Sequence, residues 1–269
     1  PEGKYLSDIS FELPQHSTLA AETGIGKTTF AATYGKPGER VLIAFSSVVS
    51  LLQQAQKYPH AHVAHQDQKD YTATSELILA TYNQIPEIAR KFTDWQVPFD
   101  SVRLFVDEQH NLSLADYRRR TLSKLLDTIA AHSWKSVTFM SGTPLDTPHS
   151  TLASYKTINV HSTKRLQPAR FVRWQDAEGN GRMTDTAVAL AMRHERTLIH
   201  LDNKSKLLDS LVAALVAAGK NVNSIYTLNA DNKYEAIGQH ITEHETVPED
   251  CEVLIVTSVF TESSNMRTH

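Results

Sequence analysis

A single cysteine, Cys251, stands in a chain of 269 residues. No internal disulfide can form, and a zinc site built on paired cysteines is excluded. That usage fits a reducing compartment, so the expectation is a cytoplasmic protein, or one at a nucleoid or viral replication site, and not a secreted one. Positive charge is not in excess either: 27 Lys and Arg face 30 Asp and Glu, for a net charge of −3. With a pI near 6.5 there is no global basic field of the kind that marks many nucleic-acid binders, and any such contact must be local. Apolar runs never exceed strand length, which argues against a membrane span, and Pro1-Glu2-Gly3-Lys4 has neither an initiator methionine nor a signal-peptide pattern. The expectation is a piece of a longer protein. Low-complexity tracts are missing too. The 13 histidines are numerous, but the pairs His60/His62 and His240/His244 lack the carboxylate and cysteine company of a metal site, which leaves them as surface or core residues.

What is present begins with Ala21-Glu22-Thr23-Gly24-Ile25-Gly26-Lys27-Thr28-Thr29, placed after a short apolar run and before a helix-like one. Gly24 and Gly26 permit backbone angles that other residues resist, so the N–H groups from Thr23 to Thr29 can turn inward around a polyphosphate. Lys27 supplies a point charge for the outer phosphates, the Thr28 hydroxyl can ligate Mg²⁺, and the helix beginning at Lys27 adds its positive end. The full phosphate-loop pattern opens with Gly where this chain has Ala21; the Gly-x-Gly-Lys-Thr core is intact. A second anchor lies 80 residues after Lys27, where the apolar run Val102–Val106 ends in Asp107-Glu108-Gln109-His110. In a phosphate-loop ATPase such a strand end carries the carboxylate that holds Mg²⁺, here Asp107, and the one that polarises the attacking water, here Glu108. Ser141-Gly142-Thr143-Pro144 closes another apolar run, with hydroxyls able to reach His110 and Glu108.

Strand and helix patterns alternate along the whole chain, which predicts an α/β protein with mostly parallel sheets in two domains, residues 1–150 and 165–269. Apolar runs at 41–45, 76–83, 102–106 and 136–140 read as buried strands. Residues 5–20 read as a first strand, 48–57 as a helix capped by Ser46-Ser47, and 112–131 as one helix carrying Arg118-Arg119-Arg120, either a solvated face or a phosphate-contacting patch. The pattern weakens from Thr147 to Arg173. Beyond it, 169–174 with the Gly179-Asn180-Gly181 turn predicts a hairpin. Helices are then expected at 184–194, 204–218 and 233–244, and strands at 196–201, 222–226 and 252–257.

With the loop, Asp107-Glu108-Gln109-His110 and Ser141-Gly142-Thr143 in this order, the chain resembles a superfamily 2 helicase or translocase of the DExH type. The resemblance implies two RecA-like domains that use ATP and Mg²⁺ at the cleft between them, with Lys27, Thr28, Asp107, Glu108 and His110 as catalytic residues and Thr28 and Asp107 at the metal. It implies contact with the backbone of DNA or RNA at Ser46, Ser47 and Thr81, and coupling through Ser141 and Thr143. In the second domain, Leu201-Asp202-Asn203-Lys204 resembles motif IV, bringing Asn203 to the nucleic acid. Residues 256–266 resemble motif V, bringing Thr257 to nucleic acid and Asn265 to nucleotide. The family's arginine-bearing motif VI does not follow before His269, so the expectation is that further C-terminal or partner domains supply the arginine finger. Two other readings stay open: a non-catalytic, nucleotide-gated scaffold on nucleic acid, and a phosphotransferase acting on a small molecule. DNA against RNA, and replication against repair or restriction, are equally open.

Overall fold

The apolar runs become strands whose alternate residues point to opposite faces of one sheet. Val41, Ile43 and Phe45 enter one core, while Leu42 and Ala44 enter the other. The computed structural model describes residues 2–3, 5–114, 119–144, 154–163, 180–201, 207–229, 235–244 and 246–257, and the chain divides into two units, Pro1–Leu166 and Gln167–His269.

The first unit holds strands β1 (Glu2–Gly3), β2 (His16–Ala21), β3 (Arg40–Phe45), β4 (His62–His65), β5 (Gln68–Lys69), β6 (Leu77–Thr81), β7 (Val102–Val106), β8 (Ser136–Ser141) and β9 (Lys156–Ser162). They form one sheet in the order β1-β9-β2-β8-β7-β3-β6-β4-β5. Only β5, antiparallel to β4, departs from parallel pairing. Helices α1 (Lys27–Thr33) and α2 (Val48–Lys57) bring Ala31 and Leu51 to the face of Leu19, Phe105 and Met140. Helices α3 (Ile85–Asp94) and α5 (Arg119–Ala131) bring Ile88, Phe92, Leu125 and Ile129 to the face of Leu104, Val106 and Phe139. Between those two helices in sequence lies α4 (Asn111–Leu114). A parallel sheet covered on both faces leaves its strand ends as the place for chemistry.

The second unit contains α6 (Asn180–Ala191), β10 (Thr197–Leu201), α7 (Leu207–Ala217), β11 (Ile225–Leu228), α8 (Ala236–His244) and β12 (Val253–Thr257). Its parallel strands run in the order β10-β12-β11. Central β12 is buried along its length: Leu254 and Val256 meet Ile237 and Ile241 of α8, and Val253 and Ile255 meet Ala191, Leu211 and Leu215 of α6 and α7.

Several sequence expectations need correction. Residues 5–20 are not one strand: Leu6–Asp8 forms a 3-10 turn, closed by the Asp8 carboxylate accepting from the Tyr5 N–H (3.0 Å), and the strand begins at His16. Local side-chain bonds of this kind compete with sheet formation. Of the expected helix 112–131, the structure describes α4 and α5, and 115–118 lie outside the described residues. The first unit also runs past residue 150, because β9 joins the sheet beside β2. Its polar composition hid it, and only Ile158 and Val160 pack into the core. Asn180 and Gly181, expected in a turn, open α6, while 169–174 lie outside the described residues. Residues 222–224 form a 3-10 turn held by the Asn221 side chain, which accepts from the Asn223 N–H (3.0 Å). Among the described residues, no helix is long and apolar enough to cross a membrane.

Candidate nucleotide site

The loop from Ala21 to Lys27 joins the end of β2 to the start of α1. Gly24 and Gly26 have φ of +81° and +89°, the left-handed region where a side chain is strained. A Cβ at either would meet nothing within 4 Å, so backbone angle and not space demands glycine there. Lys27 is buried, and its Nζ donates to the Ala21 and Glu22 carbonyls at 2.9 and 3.2 Å. Burial lowers its pKa, opposed by the charges of Asp107 and Glu108. From behind, the loop is held by the N-terminal turn: the Leu6 N–H donates to the Ile25 carbonyl at 2.9 Å, and both side chains are buried in one core.

Asp107 and Glu108 leave the tip of β7. The Asp107 N–H donates to the Ala44 carbonyl (2.9 Å), extending the ladder onto β3, and the Gln109 N–H donates to the Met140 carbonyl (2.9 Å), tying the turn to β8. Between them Glu108 adopts φ +55°, a left-handed conformation costing a non-glycine residue about 1–2 kcal/mol. The Asp107 carboxylate accepts from the Glu108 N–H (3.1 Å), the Glu108 carbonyl accepts from the Asn111 N–H (2.9 Å), and the Tyr82 hydroxyl donates to the Asp107 carbonyl. His110 Nδ1 lies 3.1 Å from Ser141 Oγ and 3.3 Å from a Glu108 carboxylate oxygen. Ser141, fully buried at the end of β8, also accepts from the Thr143 N–H (3.1 Å). At Gly142 a Cβ would come within 3.0 Å of Thr23 Oγ1, so this glycine lets the β8 loop lie against the phosphate loop. The tips of the neighbouring strands β2, β8 and β7 thereby form one site.

Its charges are held under tension. Burial raises the pKa of both carboxyls, the neighbouring charge of Glu108 raises Asp107 further, and Lys27 opposes the shift in both. Asp107 retains some solvent contact, although protein atoms close densely around its carboxyl.

Other predicted residues fall as follows. Thr28 and Thr29 are in the first turn of α1. Ser46, buried, follows β3, and Ser47 caps α2 by accepting from the Ser50 N–H (3.2 Å). Thr81 ends β6 and is buried. Thr143 is exposed, as is Arg120 near the start of α5; Arg118 lies outside the described residues. Thr257 ends β12 in the second unit, and Asn203 and Asn265 lie outside the described residues. Tyr82 and Leu6 escaped the sequence reading, since a lone tyrosine after a strand and a leucine far upstream of the glycines carry no spacing signal. Gly142 was read with its neighbours but not for the close approach it permits.

No family model matches the chain, and no curated protein sequence matches it. Solved structures do. S. cerevisiae Dbp5 bound to RNA and ADP BeF3 superposes with a TM-score of 0.63 at 15% identity, over 93% of this chain and 67% of that one. The E. coli DExH-box NTPase HrpB gives 0.61 at 14% identity, over 93% of this chain and 33% of HrpB. At such identities the likeness is one of fold, and this chain spans only a third of the HrpB length. What the chain shares with these structures is the α/β architecture, a mostly parallel sheet flanked by helices.

Proposed function

We propose that this chain is the ATP-hydrolysing motor of a nucleic-acid helicase or translocase that uses Mg²⁺. The observation that carries the reading is the convergence of Lys27, Asp107, Glu108, His110 and Ser141 at neighbouring strand tips. A polyphosphate fits the loop: Gly24 and Gly26 face open space, and Lys27 is a buried cation that donates to main-chain carbonyls and is supported by the charges of Asp107 and Glu108. A divalent cation fits the acidic pair, whose carboxylates are disfavoured as they stand. Among the described residues no cluster of three or more His, Cys, Asp and Glu side chains forms a metal cage, so Asp107 and Thr28 would hold Mg²⁺ together with phosphate oxygens. When bound, the ion neutralises charge that develops on the transferred phosphate.

The chain's own groups then divide the work. Lys27 binds and orients the phosphates. Glu108 accepts a proton from the attacking water. His110, bonded to Ser141, links that carboxylate to β8 and the exposed Thr143. Ser46 and Thr81, at the tips of β3 and β6, stand where polymer contact is expected, and Dbp5, of the same fold, is bound to RNA. Asn203, Thr257 and Asn265 of the second unit complete the assignment, Asn203 and Thr257 toward nucleic acid and Asn265 toward nucleotide.

The test is steady-state ATP hydrolysis by the full-length protein with and without single-stranded DNA, duplex DNA and RNA, with Lys27→Ala as the binding-deficient control. Stimulation by one polymer is expected and names the track. Equal turnover without polymer would instead indicate a phosphotransferase, and none under any condition a nucleotide-gated scaffold.

A further inference from the structure

Tyr82 follows the Thr81 tip of β6 and opens the 3-10 turn Tyr82–Gln84 that leads into α3. Its ring is buried, 2% exposed, in the core shared by Leu104, Val106 and Leu112. From there the hydroxyl reaches past β3 to the end of β7, where it donates to the Asp107 carbonyl and lies 3.4 Å from the Glu108 carbonyl. A buried tyrosine hydroxyl ordinarily finds some acceptor. These two carbonyls, however, flank the one residue of the acidic motif with left-handed backbone, Glu108. The same core contains a contrasting case: the Tyr71 hydroxyl is buried and, among the described residues, has no hydrogen-bond partner, so packing alone does not force such a hydroxyl into a bond.

We propose that Tyr82 is a positioning residue that holds the Asp107–Glu108 turn in its left-handed form and so aims the Glu108 carboxylate. Left-handed geometry at a non-glycine residue persists only where the surroundings over-determine it. The Asp107 N–H is tied to β3 and the Gln109 N–H to β8; Tyr82 supplies the restraint from β6. Resting on the motor reading above, the second part of the inference concerns communication. Tyr82 is covalently next to Thr81, so displacement of the β6 tip by a bound strand moves the hydroxyl that sets the water-activating carboxylate. A positioned carboxylate gains rate through alignment, and small misplacements lose it.

The test pairs Tyr82→Phe with Tyr71→Phe, each removing one buried hydroxyl from the same core. Amide hydrogen exchange is read across residues 109–112, and ATP hydrolysis is read as kcat and KM separately with the stimulating polymer present. For Tyr82→Phe, exchange at 109–112 is expected to rise about tenfold while the amides of β2 and β3 keep their protection, because local opening follows the loss of a local tie. Polymer-stimulated kcat is expected to fall about tenfold with KM for ATP changed less than twofold, the signature of a group that acts on the chemical step. Tyr71→Phe should do neither. Unchanged exchange at 109–112 overturns the proposal whatever the activity. Raised exchange with normal kcat overturns the aiming of Glu108. Raised exchange in a protein whose unmodified form hydrolyses no ATP upholds the positioning and removes the motor reading instead.

Discussion

At the amino ends of the strands in the first sheet, charges are paired; at the carboxyl ends, similar charges are left in tension. Glu39, just before β3, receives Arg103 of β7 at 2.6 and 3.2 Å and Lys135, just before β8, at 3.1 Å. The Arg103 guanidinium also lies 5.1 Å from the Tyr34 ring centre. Bonded first of all by Arg103, the Glu39 carboxyl is pulled down to about 2. Across the sheet, burial lowers Lys27 and raises Asp107 and Glu108. One end carries paired charges and the other carries charges that burial disfavours, a separation expected where stability and activity compete.

Substitutions at the two ends should therefore have opposite consequences. The largest effect is expected from Glu108→Gln, which removes a general base and keeps the shape: phosphate release should fall about a thousandfold while binding of a fluorescent ATP analogue persists. Normal turnover in that variant would take the base away from Glu108. Next comes Arg103→Met, which leaves the Glu39 carboxylate to Lys135 and the Lys36 N–H and should cost about 2 kcal/mol in urea unfolding, with the ATPase activity of the folded fraction unchanged. Asp107→Asn should act the other way and raise the melting temperature of the nucleotide-free protein by about 2–4 °C, roughly 1 kcal/mol, while abolishing Mg²⁺-dependent hydrolysis. A lower melting temperature would show that the carboxylate is paired after all. Acid tests the amino-end cluster without a substitution. Glu39 has a folded pKa of about 2 against 4.5 for the free group, so its contribution is complete above pH 4.5 and drains away as pH falls toward 2. Urea unfolding from pH 6 to pH 2.5 should show that loss, and Arg103→Met should flatten it.

Legibility from sequence tracked how local each physical signal was. The glycine-rich loop before α1 was readable because its glycines, lysine and threonine lie within a few residues of one another. Asp107 and Glu108 were readable because a buried strand announces its own end, and the helix after Ser47 because its cap lies in the adjoining residues. β9 was not, since Lys156, Thr157 and Asn159 leave it without an apolar run, and its place beside β2 comes from pairing with a strand far away in sequence. The Glu39–Arg103–Lys135 cluster was invisible for the same reason, being assembled from three strand entrances.

The sequence by itself thus determined the alternation of strand and helix, the left-handed glycines before α1, and the acidic pair at the end of β7, because periodicity and backbone preference are carried by neighbours. Tertiary structure decided the rest. Parallel pairing in the order β2-β8-β7-β3-β6 put Lys27, Ser141 and Asp107 on successive tips; burial reset the pKa values of Lys27 and Asp107; and a tyrosine hydroxyl from the turn after β6 came to rest on the backbone of the acidic turn. Each of these depends on contacts between residues remote in the chain, whose distances no local pattern encodes.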